Sequence, residues 1–437
     1  MPGSAMVPER AQIVACHARN RIWHNGIAAD IIMHSEDISD PRTTAAQPLP
    51  AKCDIAIIGG AVVGSSVAYF AKHMAPGAKV VVIEPDRTYE FASTLRASGG
   101  ARRQFSCPEN IEMSNFSIPF IVHADDELAI DGEKSHVDWR EGGYLLIVGD
   151  ADAGMLRANW QVQRDHGVDA RWLEPEALHA RFPSMNLDGI AAGVLTPRDG
   201  WCDPNGLLQA LRRKARSLGA SYIDDRVVAI DHGGRRVRGV RLASGATITA
   251  EHVVNAAGAW SRQIAALVGM PLPIEPLRRF EHYFETPNAI EPLPYVKDTA
   301  RLAFRPEGRG YSGGLVDSGE PRAFNFDVDH DYFERVVWPA LADRFPAFEA
   351  CRCRRTWSGL YEQNELDGNP VIGNWTGRMD NFHVAAGFSG HGMMHAPAAG
   401  RAVAELIVHG RFESLDLTRL GYRRIADNAP YPERGIL

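Results

Sequence analysis

Ile55, Ile57 and Ile58 form a short apolar run that ends at the pair Gly59-Gly60. A β-branched run of this kind reads as a buried parallel strand. Helical spacing follows, with Val63, Val67, Phe70 and Ala71 on one face until Pro76-Gly77 stops it. Val80 to Ile83 repeats the buried-strand pattern and ends on Glu84. Strand, glycine turn, helix and strand within about 30 residues predict a β-α-β unit.

Further along, Pro108 to about Ala124 is expected to be helical, with Ile111, Phe116, Phe120 and Ile121 on one face. Gly142-Gly143 is a turn before an apolar strand at Tyr144–Val148, and residues 152 to 182 carry helical spacing. Asn205 to Leu218 predicts an amphipathic helix through Leu207, Leu208, Leu211 and Ala215, ended by Gly219. Strands follow at Val227–Ile230 and His252–Asn255, with short hairpin strands between them. From Leu272 to Asp317 the period shifts toward two, as a sheet with one buried face requires. Phe333–Leu341 reads as helix, Arg354–Tyr361 as strand, and Val371–Gly373 and Phe382–Ala386 as buried strands. A glycine turn then opens a long helix that Gly410 ends. Residues 1 to about 51 show no clear periodicity and are expected to be a disordered extension without a signal-peptide core.

Composition narrows this picture only modestly. The 437 residues are 45% apolar and 23% charged, ordinary for globular domains with ample core. A net charge of −7 argues against nucleic acid or an anionic membrane as the main partner. No apolar run approaches the roughly 18 residues of a membrane span. The six cysteines form no C-x-x-C pair and no metal pattern, which points to a reducing, cytoplasmic setting.

Chemistry enters with the glycines. Gly59 would make the tight turn, Gly60, Ala61, Val62 and Val63 would carry the chain past a pyrophosphate, and Gly64 would let helix and strand pack. The anion would sit at the helix N-terminus, and Glu84, 20 residues after Gly64 (84 − 64), would accept from a ribose. Ala61 departs from the G-x-G-x-x-G pattern. The stretch Phe91–Ser106 alternates small residues with hydroxyls, so Ser93, Thr94, Ser98, Gly99 and Gly100 could run against a flat ligand.

Three motifs together, the opening unit, N-A-A-G-A-W-S (Asn255–Ser261) and G-F-S-G-H-G (Gly387–Gly392), resemble the FAD-dependent D-amino acid oxidase superfamily. That superfamily includes glycine oxidase and sarcosine oxidase. The likeness runs from about residue 53 to the C-terminus. Stretches such as R-Q-F-S-x-P-E-N-I, D-G-W-x-D-P and V-x-H-D-Y-F resemble a branch linked to assembly of respiratory complex I. The resemblance implies an α/β (α+β overall) fold. A Rossmann-type FAD-binding domain (52–108, 190–271, 356–437) would interleave with a substrate domain on a mostly antiparallel sheet (109–189, 272–355). It implies that Val227 contacts adenine and that Ala256, Ala257, Gly258 and Trp260 pass over the nucleotide. Gly390, His391, Gly392, Met393 and Met394 would face the flavin with backbone N–H groups. Family members that attach their flavin do so through a cysteine where this chain offers Ser358, or a histidine where it has Leu95 and Arg96. The FAD is therefore expected to be non-covalent. A family lysine that binds substrate carboxylate is Met394 here.

The implied chemistry is oxidation of the C–N bond of an amino acid or secondary amine, with oxygen or an electron carrier as acceptor. No metal is expected. Arg102, Arg103, Arg279, His282, Arg305 and Tyr361 are the candidates for the substrate side, since a guanidinium binds carboxylate bidentately. A second reading, of another class, is an FAD-binding assembly factor for a respiratory complex with little or no turnover.

Overall fold

The structure is a computed structural model that describes residues 49–298 and 301–435. The expectation for residues 1–51 falls, up to residue 48, outside the described residues. Five strands of the first sheet run parallel, in the order Met379–Ala386, Thr247–Asn255, Lys52–Ile58, Val80–Glu84 and Ser221–Asp224. Val371–Trp375 closes one edge antiparallel, and Arg236–Leu242 and Val227–Gly233 form an antiparallel extension from Thr247–Asn255. The second arm of the predicted hairpin and the strand expected after it are thus one continuous strand, Thr247–Asn255, paired with the first arm Arg236–Leu242.

Ile55, Ile57 and Val82, apolar and at most 2% exposed, face the helices Val62–Met74 and Gly392–Val408. Ile58, Val81 and Ile83 point the other way, toward Val253 and Val384, so both faces of the central strands are covered. This is why these strands read as unbroken apolar runs. The helix Pro204–Ser217 starts as its sequence predicts, with the Asp203 carboxylate accepting from Asn205 N–H.

The second sheet follows the order Arg352–Asn364, Ile274–Glu285, Gly310–Leu315, Leu302–Glu307, Tyr295–Asp298, Tyr144–Val148, Ala192–Thr196 and Arg171–Leu173. It is antiparallel except between Tyr295–Asp298 and Tyr144–Val148. Two boundaries expected from sequence shift. Ala192–Thr196 pairs here and not with the first sheet, and Arg352–Asn364 spans the boundary placed at 356. Arg171–Leu173, inside the stretch read as helical, is a three-residue strand between the helices Asp150–Asp165 and Pro175–Arg181. Among the described residues no helix is long and apolar enough to cross a membrane.

Candidate active site

The parallel strands end together at Ile58, Ile83 and Asn255, and a cavity of about 1240 Å³ opens beyond them toward the second sheet. Carboxyl ends of parallel strands are where open α/β sheets hold ligands. Gly59 has φ +97°, and a Cβ there would stand 2.4 Å from the Ala256 carbonyl oxygen, so only glycine fits the turn. A Cβ on Gly64 would stand 1.9 Å from the Gly59 carbonyl oxygen, which fixes how closely the helix meets the strand. The helix Val62–Met74 has no capping side chain at Ala61 and no acid in its first turn. Apart from Val62 N–H, which makes a long bond to Thr94 Oγ1 at 3.5 Å, its first N–H groups remain available to an anion. Glu84 accepts from Gly60 N–H at 2.8 Å and Asp86 N–H at 3.1 Å. Burial pushes its carboxyl above the ordinary range while those N–H groups pull it back.

Nearly every residue expected to hold the nucleotide lines this cavity: Ala61, Val62, Val63, Ser93, Thr94, Ser98, Gly99, Gly100, Val227, Ala256, Ala257, Gly258 and Trp260. Gly60 and Gly64 do not. Gly60 gives its N–H to Glu84 and its carbonyl to the Ser65 hydroxyl, so its role is to shape the turn. Gly64 serves helix packing.

At the other end, Gly390, His391, Gly392, Met393 and Met394 line the cavity where the helix Gly392–Val408 begins. That helix also lacks a side-chain cap and a first-turn acid. Gly390 has φ +101°, and a Cβ there would lie 2.6 Å from the Tyr361 ring. Backbone N–H groups therefore front the cavity at both helix starts. Two anion-ready helix ends, small residues between them and Glu84 at the end of the neighbouring strand Val80–Glu84 fit an extended dinucleotide.

The opposite wall comes from the second sheet, where Leu277 to Glu281 line the cavity and His282 does not. Arg279 and Glu281 share one face of Ile274–Glu285 and both line the cavity. The Arg279 guanidinium lies 5.4 Å from the Tyr361 ring centre. Its Nη1 donates to the carbonyls of Arg278 and Asp317, both at 3.2 Å, while its buried Nε has no partner. Glu281 accepts from the Ser312 hydroxyl at 2.7 Å, and burial pushes its carboxyl up to about 7. Tyr144 and Tyr295 stack at 4.4 Å on neighbouring strands, with Lys297 two residues beyond on the same face. Burial and then the Arg102 charge bring the Lys297 ammonium down to about 7.

The six candidates for the substrate side separate. Arg102, Arg279 and Tyr361 line the cavity. Arg102 is 3% exposed, and its guanidinium sits 4.1 Å from the Phe105 ring centre and 5.9 Å from that of Tyr144. Arg103 is a correction: one residue along an extended segment it points away, pairing with Asp199 at 2.6 Å. His282 is another. Next to Glu281 it takes the opposite face, where it bonds Thr356 Oγ1 at 2.9 Å and packs on Tyr332 and Phe333. Burial brings it down to about 4, so it stays neutral. Arg305 does not line the cavity either. Its Nε donates to the Ser98 carbonyl at 2.6 Å and its guanidinium pairs with Glu307, so it braces the loop that does.

Glu281, Lys297, the Tyr144–Tyr295 stack and Glu362 escape the sequence reading. For Glu281 the signal was present: in R-R-F-E-H, alternation puts it on the face of Arg279 and His282 on the other.

Residues 54–406 match the family described as FAD dependent oxidoreductase (DAO). A Xenopus laevis relative, "FAD-dependent oxidoreductase domain-containing protein 1", is 36% identical over 447 residues, covering 93% of this chain and 89% of the relative. Mitochondrial sarcosine dehydrogenase of Mus musculus is 27% identical over 84% of this chain and 41% of its own length. Among solved structures, L-proline dehydrogenase from P. horikoshii is similar with a TM-score of 0.78 at 28% identity, covering 88% of this chain and 100% of that one. The expected attachment points give no covalent tether. Leu95, Arg96 and Ser358 occupy them, Arg96 donating to the Ser358 carbonyl at 2.6 Å, and no cysteine is among the described residues lining the cavity. FAD is held non-covalently.

Proposed function

Because the chain belongs to the family of FAD-dependent oxidoreductases, we propose that it oxidises the C–N bond of an amino acid or N-substituted amino acid to an imine, which water then hydrolyses. The observation that carries this reading is Arg279, a cavity-wall guanidinium whose buried Nε lacks a partner, two residues from a carboxyl that titrates near neutrality. Bound FAD supplies a hydride acceptor for the carbon next to nitrogen. Relatives named for sarcosine and L-proline, both secondary amines, support the class.

Arg279 binds the substrate carboxylate, the part that Met394 cannot take. Glu281 removes the proton that a substrate ammonium must lose before its nitrogen lone pair can assist C–H cleavage. Tyr361 and the Tyr144–Tyr295 pair wall the substrate and keep water from its reacting carbon. Arg102 adds positive charge to the same wall. With FAD bound, oxygen or an electron carrier would accept the electrons. The assembly-factor reading rests on the sequence resemblance alone.

The test is anaerobic mixing of the yellow protein with D-amino acids, sarcosine-like amines, proline derivatives and opines, read as loss of flavin absorbance. At least one amine is expected to bleach it, and no bleaching across the panel overturns the reading. With that amine, Arg279→Met is expected to need about 10–100-fold more substrate for half-reduction, the loss of a charged hydrogen bond of about 1.5–3 kcal/mol. An unchanged half-reduction concentration removes Arg279 as the anchor.

A further inference from the structure

Glu362 is an acid built into the glycine turn that opens the helix Gly392–Val408. It follows Tyr361 on the strand Arg352–Asn364 and is 9% exposed. Its Oε2 accepts from Gly387 N–H at 3.0 Å, and its backbone carbonyl accepts from Ser389 N–H at 3.2 Å. A Cβ added to Gly392, the first residue of the helix, would stand 3.4 Å from Glu362 Oε1. The carboxyl therefore lies against the same helix end that presents its N–H groups to the cavity. Among the described residues no salt bridge reaches it. Burial pushes it up to about 7, against the pull of the Gly387 and Phe388 N–H groups.

We propose that Glu362 is a redox-linked proton holder, taking up one proton from solvent when the bound cofactor gains two electrons. An ionised carboxylate at this position uses part of the positive end of the helix, and a neutral one leaves all of it to the cavity. A hydride brings two electrons and one proton, so one negative charge is added across the site. Binding a proton at Glu362 cancels that charge where the helix end would otherwise face two anions. Glu362 acts on the cofactor through the turn and the helix start, and is a positioning residue in that sense. The inference rests on the family's cofactor and holds whatever the substrate is.

Of the groups packed around Glu362 none other is poised near neutrality, while Glu281 and Lys297, both brought to about 7, line the same cavity. On its own strand Tyr361 is raised by burial, with Arg279 pulling it back. The paired strand brings Glu275, held by Arg262 on the surface, and Arg279, which faces the cavity. In the turn and the first helical turn, His391 and His395 are driven down by burial and then by Arg102, so both stay neutral. Beyond the strand end Asp367 is paired with Arg424 at 2.7 Å.

The test is the cofactor's midpoint potential against pH in wild type and in Glu362→Gln, whose amide oxygen can still accept from Gly387. Above about pH 7 the wild-type potential is expected to fall twice as steeply with pH as that of the variant, because one more proton accompanies the electron pair. Equal slopes overturn the proposal, since a carboxyl that only holds the turn would not change them. Should the variant purify without cofactor, proton uptake on electrochemical reduction in unbuffered solution near pH 7.5 decides in a Glu281→Gln, Lys297→Met double variant, which lacks the other cavity groups near 7. About two protons per cofactor support the proposal and about one overturns it.

Discussion

Gly64→Val is expected to purify with at least about tenfold less flavin than wild type, because the pyrophosphate site depends on how closely the first helix meets its strand. A Cβ at position 64 would lie 1.9 Å from the Gly59 carbonyl oxygen, a contact that neither partner can relieve. Gly59 is itself fixed, since its φ of +97° and the Ala256 carbonyl leave no alternative path. The helix must therefore move outward, taking its free N–H groups away from the anion. The change sits on the helix–strand seam, so the far-UV spectrum should keep its mixed α/β character while the visible absorbance disappears. Wild-type flavin content in this variant would show that the seam does not set cofactor binding.

The second large effect belongs to Glu281. Glu281→Gln should lower kcat/KM by about 10²–10⁴-fold, the usual worth of a positioned general base. The wild-type profile should rise through an inflection near pH 7, since the raised carboxyl becomes a base only above that value. The variant should lose this inflection and keep only the titration of the substrate amine. The same shift has a stability side. With its pKa raised from 4.5 in the fold, Glu281 favours the folded state below about pH 4.5, and that contribution disappears as pH rises through about 7. Glu281→Gln should therefore be less sensitive to pH than wild type across that window. A variant with an unchanged pH profile would take Glu281 out of the reaction.

The cofactor half of the site was legible because its signals are local and redundant. Asp54–Glu84 carries strand, turn, helix and acid in order, and each rests on a residue type that the backbone itself requires. Asn255–Ser261 and Gly387–Gly392 added the distant parts, and the structure brings all three to the carboxyl ends of the parallel strands. The substrate wall was only partly legible. Arg102 and Arg103 are neighbours with opposite directions, and so are Glu281 and His282; residue type cannot choose between them without knowing which face meets the cavity. The Tyr144–Tyr295 stack depends on a parallel pairing between strands far apart in sequence. Ala192–Thr196 is another pairing decision of this kind. Nothing in its apolar pattern says which sheet it joins, and Tyr144–Val148 decides it. Glu362 was hidden differently, because its importance lies in backbone N–H groups of a turn that lies two strands further along the chain.

The measurement closest to the central claim is a single anaerobic turnover with the amine that bleaches the protein, followed by trapping of products. One carbonyl compound and one released amine should appear for each flavin reduced, or one cyclic imine or its ring-opened amino carbonyl when the substrate is a ring amine, in wild type at a rate that Glu281→Gln slows. Flavin reduced without oxidation of the C–N bond, or imine or carbonyl product formed without reduction, would contradict the account.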